Sequence, residues 1–163
     1  MVGYPGAGKT TAAKLICELT GAAHLWADHE RKKRFVHPTH NHAENLQLYA
    51  ALNTEARDVL RAGHSVVFDT NFNFYKDRKK LKIMAAKEGA RTVVVWITTP
   101  KDLAQQRATV PQPNAATRVL GYMPLERFRR ISDNLQAPTA EEQPVTIDGT
   151  HLNTQTVAHA LSL

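Results

Sequence analysis

The chain has 163 residues, 42% of them hydrophobic and 22% charged, a length and balance that fit one soluble globular domain around one core. No run approaches the roughly 18–20 apolar residues that a membrane-spanning helix needs, and Met1–Lys9 lacks the charged-then-apolar order of a secretory leader, so a cytoplasmic protein without a membrane partner is expected. The formal net charge of +6 favours polyanionic partners such as nucleotides or nucleic acid without naming one, and the single cysteine, Cys17, cannot close an internal disulfide and reads as a packing residue.

In chain order, a helix is predicted from Lys9 to about Leu19, ended by Gly21. A short apolar run, His24–Ala27, leads into Asp28. Leu46, Tyr49, Leu52, Ala56 and Val59 recur at helical spacing, and Gly63 closes that helix. Ser65–Phe68 reads as a buried strand ending at Asp69, followed by a very basic helix from about Lys76 to Lys87. Thr92–Ile97 is apolar enough to be a parallel strand covered on both faces. A short helix, Lys101–Arg107, precedes a Pro-punctuated segment containing Pro111, Pro113 and Pro124. A helix at Leu125–Leu135, a strand at Val145–Ile147 and a helix at Thr154–Leu161 complete the chain. This alternation predicts a three-layer α/β/α fold with a parallel sheet, as one domain over residues 1–163 with a mobile lid around 107–123. A glycine-rich phosphate loop normally follows a buried strand. Only Met1 and Val2 precede it here, so the first strand is expected to be a truncated stub.

Gly3-Tyr4-Pro5-Gly6-Ala7-Gly8-Lys9-Thr10 fits G-x-x-x-x-G-K-[ST] at every fixed position. Glycines allow backbone conformations in which successive N–H groups face one anion, and the following helix adds the positive end of its dipole. Lys9 is expected at the β- and γ-phosphates of ATP, the Thr10 hydroxyl at Mg²⁺, and Thr11 near the α-phosphate. Asp69 would arrive at the carboxyl edge of the sheet, where ligands bind in open α/β sheets, as a second holder of Mg²⁺.

Asp28 follows a short strand and should reach the same edge, with Arg31 three residues on. The spacing admits two readings. In one, the carboxylate accepts the proton of an attacking hydroxyl while the guanidinium steadies a phosphate. In the other, the two make a surface ion pair of small value. The runs Arg31–Arg34 and Lys76, Arg78, Lys79, Lys80, Lys82 are expected as solvated faces, with a basic rim for a polyanion as the alternative. His37, His40 and His42 sit among loop-forming residues and read as a loop rather than a zinc site. Arg107 and Arg118 flank the Pro-rich segment, where a lid could bring arginine to a transferring phosphate.

Gly3–Thr11, the D-x-x-R of Asp28-His29-Glu30-Arg31, the D-T-N-x-N of Asp69-Thr70-Asn71-Phe72-Asn73, and Arg118 six residues before Pro124 together resemble the 5′-kinase domain of polynucleotide kinase and related zeta-toxin-like bacterial kinases. The resemblance covers the chain to about residue 135 and implies a P-loop fold of the adenylate-kinase-like kinase subgroup. It implies Asp28 as general base, Arg31 at a phosphate beside the acceptor hydroxyl, Thr70 and Asn71 lining the acceptor pocket, and Arg118 touching the ATP phosphates. The expected activity is transfer of the γ-phosphoryl group of ATP, with Mg²⁺, to a 5′-hydroxyl of a polynucleotide. A small-molecule kinase acting on a sugar, nucleoside or antibiotic and a nucleotide-binding regulatory module are the alternatives. Neither the preferred triphosphate nor an oligomeric state follows from the residues.

Overall fold

A computed structural model describes residues 1–111, 117 and 119–163. Its elements are α1 Lys9–Thr20, β1 Ala23–Trp26, α2 Ala27–Arg34, α3 His42–Arg61, β2 Val66–Asp69, α4 Tyr75–Lys87, β3 Val95–Thr98, α5 Lys101–Thr109, α6 Leu125–Asp133, β4 Val145–Asp148 and α7 Thr154–Leu161, with a short 3₁₀ turn at Ala140–Glu142.

Two parallel strand pairs form the sheet. In the first, Ala23–Trp26 of β1 stand opposite Val66–Asp69 of β2. In the second, Val95–Thr98 of β3 stand opposite Val145–Asp148 of β4. Residues 1 and 2 join the pairs. Val2 bridges to Trp96, its N–H donating to Val95 O and its carbonyl accepting from Ile97 N–H. On the other side Met1 O accepts from Phe72 N–H at 3.2 Å. The expected stub of a central strand is therefore present and already contributes to both neighbours. The strand predicted over 92–97 is β3 at Val95–Thr98, and Val93 is exposed. A ladder extends only as far as a neighbour supplies partners, and the central residues reach β3 only at Trp96.

Burial divides the apolar residues into two layers. On one face Ala12, Ala13 and Ile16 of α1 and Val157 of α7 pack on Val67, Val95, Ile97 and Ile147. On the other, Leu48, Leu52 and Ala56 of α3 pack on Leu25. The period-2 alternation of each strand sends successive side chains to opposite layers. A third cluster, Ala104 and Ala108 of α5 with Phe128 of α6, holds those two helices together against Tyr4 of the glycine loop. The outcome is the three-layer α/β arrangement with parallel strands expected from the sequence.

The helix beginning at Ala27 supplies the helical i, i+3 geometry that the spacing of Asp28 and Arg31 allows. Trp26 is still extended, and α2 starts immediately after it, placing Asp28 in a helical first turn. Asn41 caps α3 by accepting from Glu44 N–H at 2.9 Å. Among the described residues no helix is long and apolar enough to cross a membrane.

Candidate functional site

The glycine loop joins the central residues to α1. Its helix start has no side-chain cap and no acidic residue in the first turn, so the helix's own residues leave its positive end unneutralised. Gly6 has φ +79°, and an added Cβ would lie 2.2 Å from Ala104 O. Only glycine meets both the left-handed backbone and that close approach. The loop is pinned from below by the buried Thr99 hydroxyl, which donates to Ala7 O at 2.8 Å. Gly149 packs against the same two residues, where a Cβ would meet Thr99 Oγ1 at 2.0 Å. Arg107 Nη1 donates to Gly149 O at 2.9 Å, so this expected nucleotide-side arginine is anchored beside the loop.

Lys9 Nζ donates to Gly3 O and Tyr4 O, each at 2.8 Å, along the edge of the loop. Burial draws its pKa down to about 8, against the opposing charges of Asp69 and Asp28. Asp69 closes β2 and is 3% exposed, with Oδ2 3.1 Å from His24 Nε2. Asp28 is reached by solvent, yet the protein around its carboxyl is dense enough that burial is the main cause raising its pKa. The Asp69 charge raises it further, while Arg31, Lys9 and Arg127 oppose the rise. Lys9, Asp28 and Asp69 thus share one electrostatic neighbourhood at the carboxyl ends of β1 and β2, beside the uncapped start of α1.

The donor set fits a magnesium nucleotide. Thr10 offers a hydroxyl in the first turn of α1, and Asp69 offers a buried carboxylate next to Lys9. These hard oxygen donors suit Mg²⁺, and the uncapped helix start suits the phosphates. Of the three histidines expected in a loop, His42 instead begins α3, and no group of three or more His, Cys, Asp or Glu side chains that could hold a metal occurs among the described residues.

Arg31 departs from the surface-pair expectation. It is 3% exposed, its Nη1 is ion-paired to Glu44 Oε1, and its Nη2 donates to Asn45 Oδ1 at 2.7 Å. Both outer nitrogens make contacts inside the protein, so Arg31 is not an exposed partner of Asp28. Arg78 also departs from the solvated-face expectation. It is 5% exposed and forms a bidentate pair with Glu142, at 2.6 and 2.9 Å. The lysines around it, Lys76, Lys79, Lys80 and Lys82, are exposed as expected.

Thr70 is buried, its hydroxyl 3.0 Å from Tyr49 Oη, whereas Asn71 is exposed. Thr11 is exposed on α1, and Pro5 is partly buried in the loop. Arg118 and residues 112–116 of the expected lid lie outside the described residues. At the base of that segment, Met123 N–H donates to Ala108 O at 3.0 Å.

His24, Tyr49, Glu44 and Thr99 were not singled out from the sequence. Each acts through a partner more than ten residues away, and no local spacing marks such a pairing. Asn41 followed by Glu44 at the head of an apolar-periodic helix was a legible cap signal for part of this network.

A family model described as an AAA domain matches residues 1–138. The chain belongs to the AAA domain family. A comparison with curated proteins finds no match. Among solved structures, this AAA domain chain is similar to an unliganded sugar kinase from Janibacter sp. HTCC2649, at 17% identity and a TM-score of 0.68, over 99% of this chain and 90% of that one. It is also similar to a gluconokinase from Sinorhizobium meliloti 1021, at 20% identity and a TM-score of 0.65, over 99% of this chain and 87% of that one. At these identities the two likenesses establish a shared P-loop α/β fold.

Proposed function

We propose that this AAA domain chain is an ATP-dependent kinase that moves the γ-phosphoryl group to a hydroxyl of a small, sugar-like acceptor. The observation that carries the transfer reading is the common neighbourhood of Lys9, Asp28 and Asp69 at the uncapped start of α1. A site that only held nucleotide would need the lysine and one metal-holding acid. The second carboxylate, Asp28, serves as a base.

In this reading Gly3–Thr11 surround the phosphates with backbone N–H groups, Lys9 balances their charge, and Arg107 and Arg118 complete the nucleotide side. Thr10 and Asp69 would hold Mg²⁺, which when bound neutralises phosphate charge. Asp28 accepts the proton of the acceptor hydroxyl. That oxygen forms a bond to the γ-phosphorus as the bond to the bridging oxygen breaks, leaving ADP. Burial and the Asp69 charge raise the pKa of Asp28, which makes it a stronger base than an ordinary aspartate. Thr70, held by Tyr49, and Asn71 line the acceptor side. Arg31 is a strut that holds α2, and with it Asp28, to the start of α3.

The acceptor class is favoured by two considerations. The similar structures are a sugar kinase and a gluconokinase. Two arginines of the supposed polyanion rim, Arg31 and Arg78, are spent in internal pairs. A polynucleotide 5′-hydroxyl is the second reading, carried by the D-x-x-R and D-T-N-x-N segments. A screen with γ-labelled ATP against sugars, sugar acids, nucleosides and 5′-hydroxyl oligonucleotides tests it. The expected result is label on a sugar or sugar acid, with a rate little affected by salt. Label confined to oligonucleotides, with transfer falling steeply as salt rises through counterion release, overturns it.

A further inference from the structure

His24 has no assigned role, yet it is the hydrogen-bonding partner of Asp69. It lies on edge strand β1, opposite Val67, with Trp26 opposite Asp69. Alternation places His24, Trp26, Val67 and Asp69 on one face of the strand pair. A carboxylate only accepts hydrogen bonds, so Nε2 carries the hydrogen in the 3.1 Å contact to Asp69 Oδ2. The other oxygen, Oδ1, accepts no hydrogen bond among the described residues.

The imidazole is itself held in place. Its ring stacks on Trp26 with centroids 5.7 Å apart and planes 6° apart. Trp26 stacks in turn on His29, at 5.3 Å and 20°, and Lys14 Nζ sits 5.0 Å from the centre of the Trp26 ring. Three rings in a row, with a cation against the middle one, fix the plane from which Nε2 donates.

We propose that His24 is a positioning residue for Asp69, tying down Oδ2 so that Oδ1 is presented to the magnesium of the bound nucleotide. This rests on the reading of Asp69 as a holder of magnesium. Outer partners of this type fix the orientation of a coordinating group, and their loss typically lowers metal affinity 10–100-fold. Trp26 supports the ring.

The test uses the full chain and reads the magnesium concentration giving half of the ATP-dependent rise in melting temperature. His24→Leu is expected to raise that midpoint about tenfold, the low end of the usual range for such partners. His24→Gln, whose amide nitrogen can donate from nearly the same place, is expected to stay near the value of the unaltered chain. ATP binding in excess chelator should be the same in all three. If His24→Leu leaves the midpoint unmoved while Asp69→Asn raises it, the positioning role is overturned and Asp69 keeps its metal role. If Asp69→Asn leaves it unmoved, the metal reading of Asp69 falls and the proposal falls with it. If Leu and Gln raise it equally, the ring acts by packing alone and the proposal is overturned.

Discussion

Arg31 of α2 and Glu44 of α3 form a buried ion pair that clamps the two helices together across the intervening loop. Glu44 completes its shell with the N–H and hydroxyl of Thr39, at 2.6 and 2.8 Å, and the N–H of His40 at 3.1 Å. Removing one charge leaves the other buried and unpaired, which typically costs about 3–5 kcal/mol. Arg31→Ala and Glu44→Ala are each expected to lose a few kcal/mol of unfolding free energy in urea. The double variant should lose clearly less than the sum. Additive losses in that double-mutant cycle would show that the two groups are not coupled.

The same cluster sets a response to acid. Burial alone would raise the Glu44 pKa, but the bonds from Thr39, Arg31 and His40 outweigh it and bring it to about 2, from 4.5. Burial, aided by Arg127 and Arg31, lowers His40 from 6.5 to about 4. Both folded values lie below the unfolded ones, so in each case the unfolded chain takes up protons first and stability falls as pH falls. His40 acts between pH 6.5 and about 4, and Glu44 between 4.5 and about 2. Melting temperatures across this range should decline in two overlapping steps. His40→Asn should remove the upper step, and Glu44→Gln, measured against its own value at pH 7, the lower one.

Asp28 carries a prediction about rate. Asp28→Asn keeps the size of the side chain and removes its basicity, so transfer should fall by about 10²–10⁴-fold, the usual contribution of a general base. ATP binding, followed by thermal shift, should survive. Because burial and the Asp69 charge raise its pKa, kcat of the unaltered chain should fall on acidification before pH reaches the ordinary aspartate value of 3.8. A variant with nearly normal transfer would remove Asp28 from the mechanism.

The legible parts of this molecule are the ones written in local spacing. Gly3–Thr10 announces its loop because fixed positions answer a local demand, such as the positive φ at Gly8. Val66–Phe68 announces a buried strand, and its alternation delivers Asp69 to the sheet edge. Arg31 and Arg78 show the limit. Each stands in a run of exposed basic residues, and each is buried by one distant acid, Glu44 in the first case and Glu142 in the second. His24 shows it again, since its bond to Asp69 depends on the register of β1 against β2, which neither segment specifies alone.

Lys9 offers opposite pH trends from one amine. Burial lowers its folded pKa to about 8, from 10.5, so between those values the unfolded chain holds a proton that the folded chain has lost. The contribution of Lys9 to stability without nucleotide therefore rises with pH across that window. Bound ATP reverses the preference, because its phosphates favour the charged ammonium. ATP affinity should fall as pH climbs past 8, approaching about tenfold per unit, since one pKa unit is worth 1.36 kcal/mol. Lys9→Met removes the titrating group. The difference between the unaltered chain and this variant, in melting temperature without ATP and in ATP affinity by calorimetry, should run in opposite directions from pH 8 to 10. Parallel trends, or a variant with the same pH dependence of affinity, would show that Lys9 does not meet the phosphates.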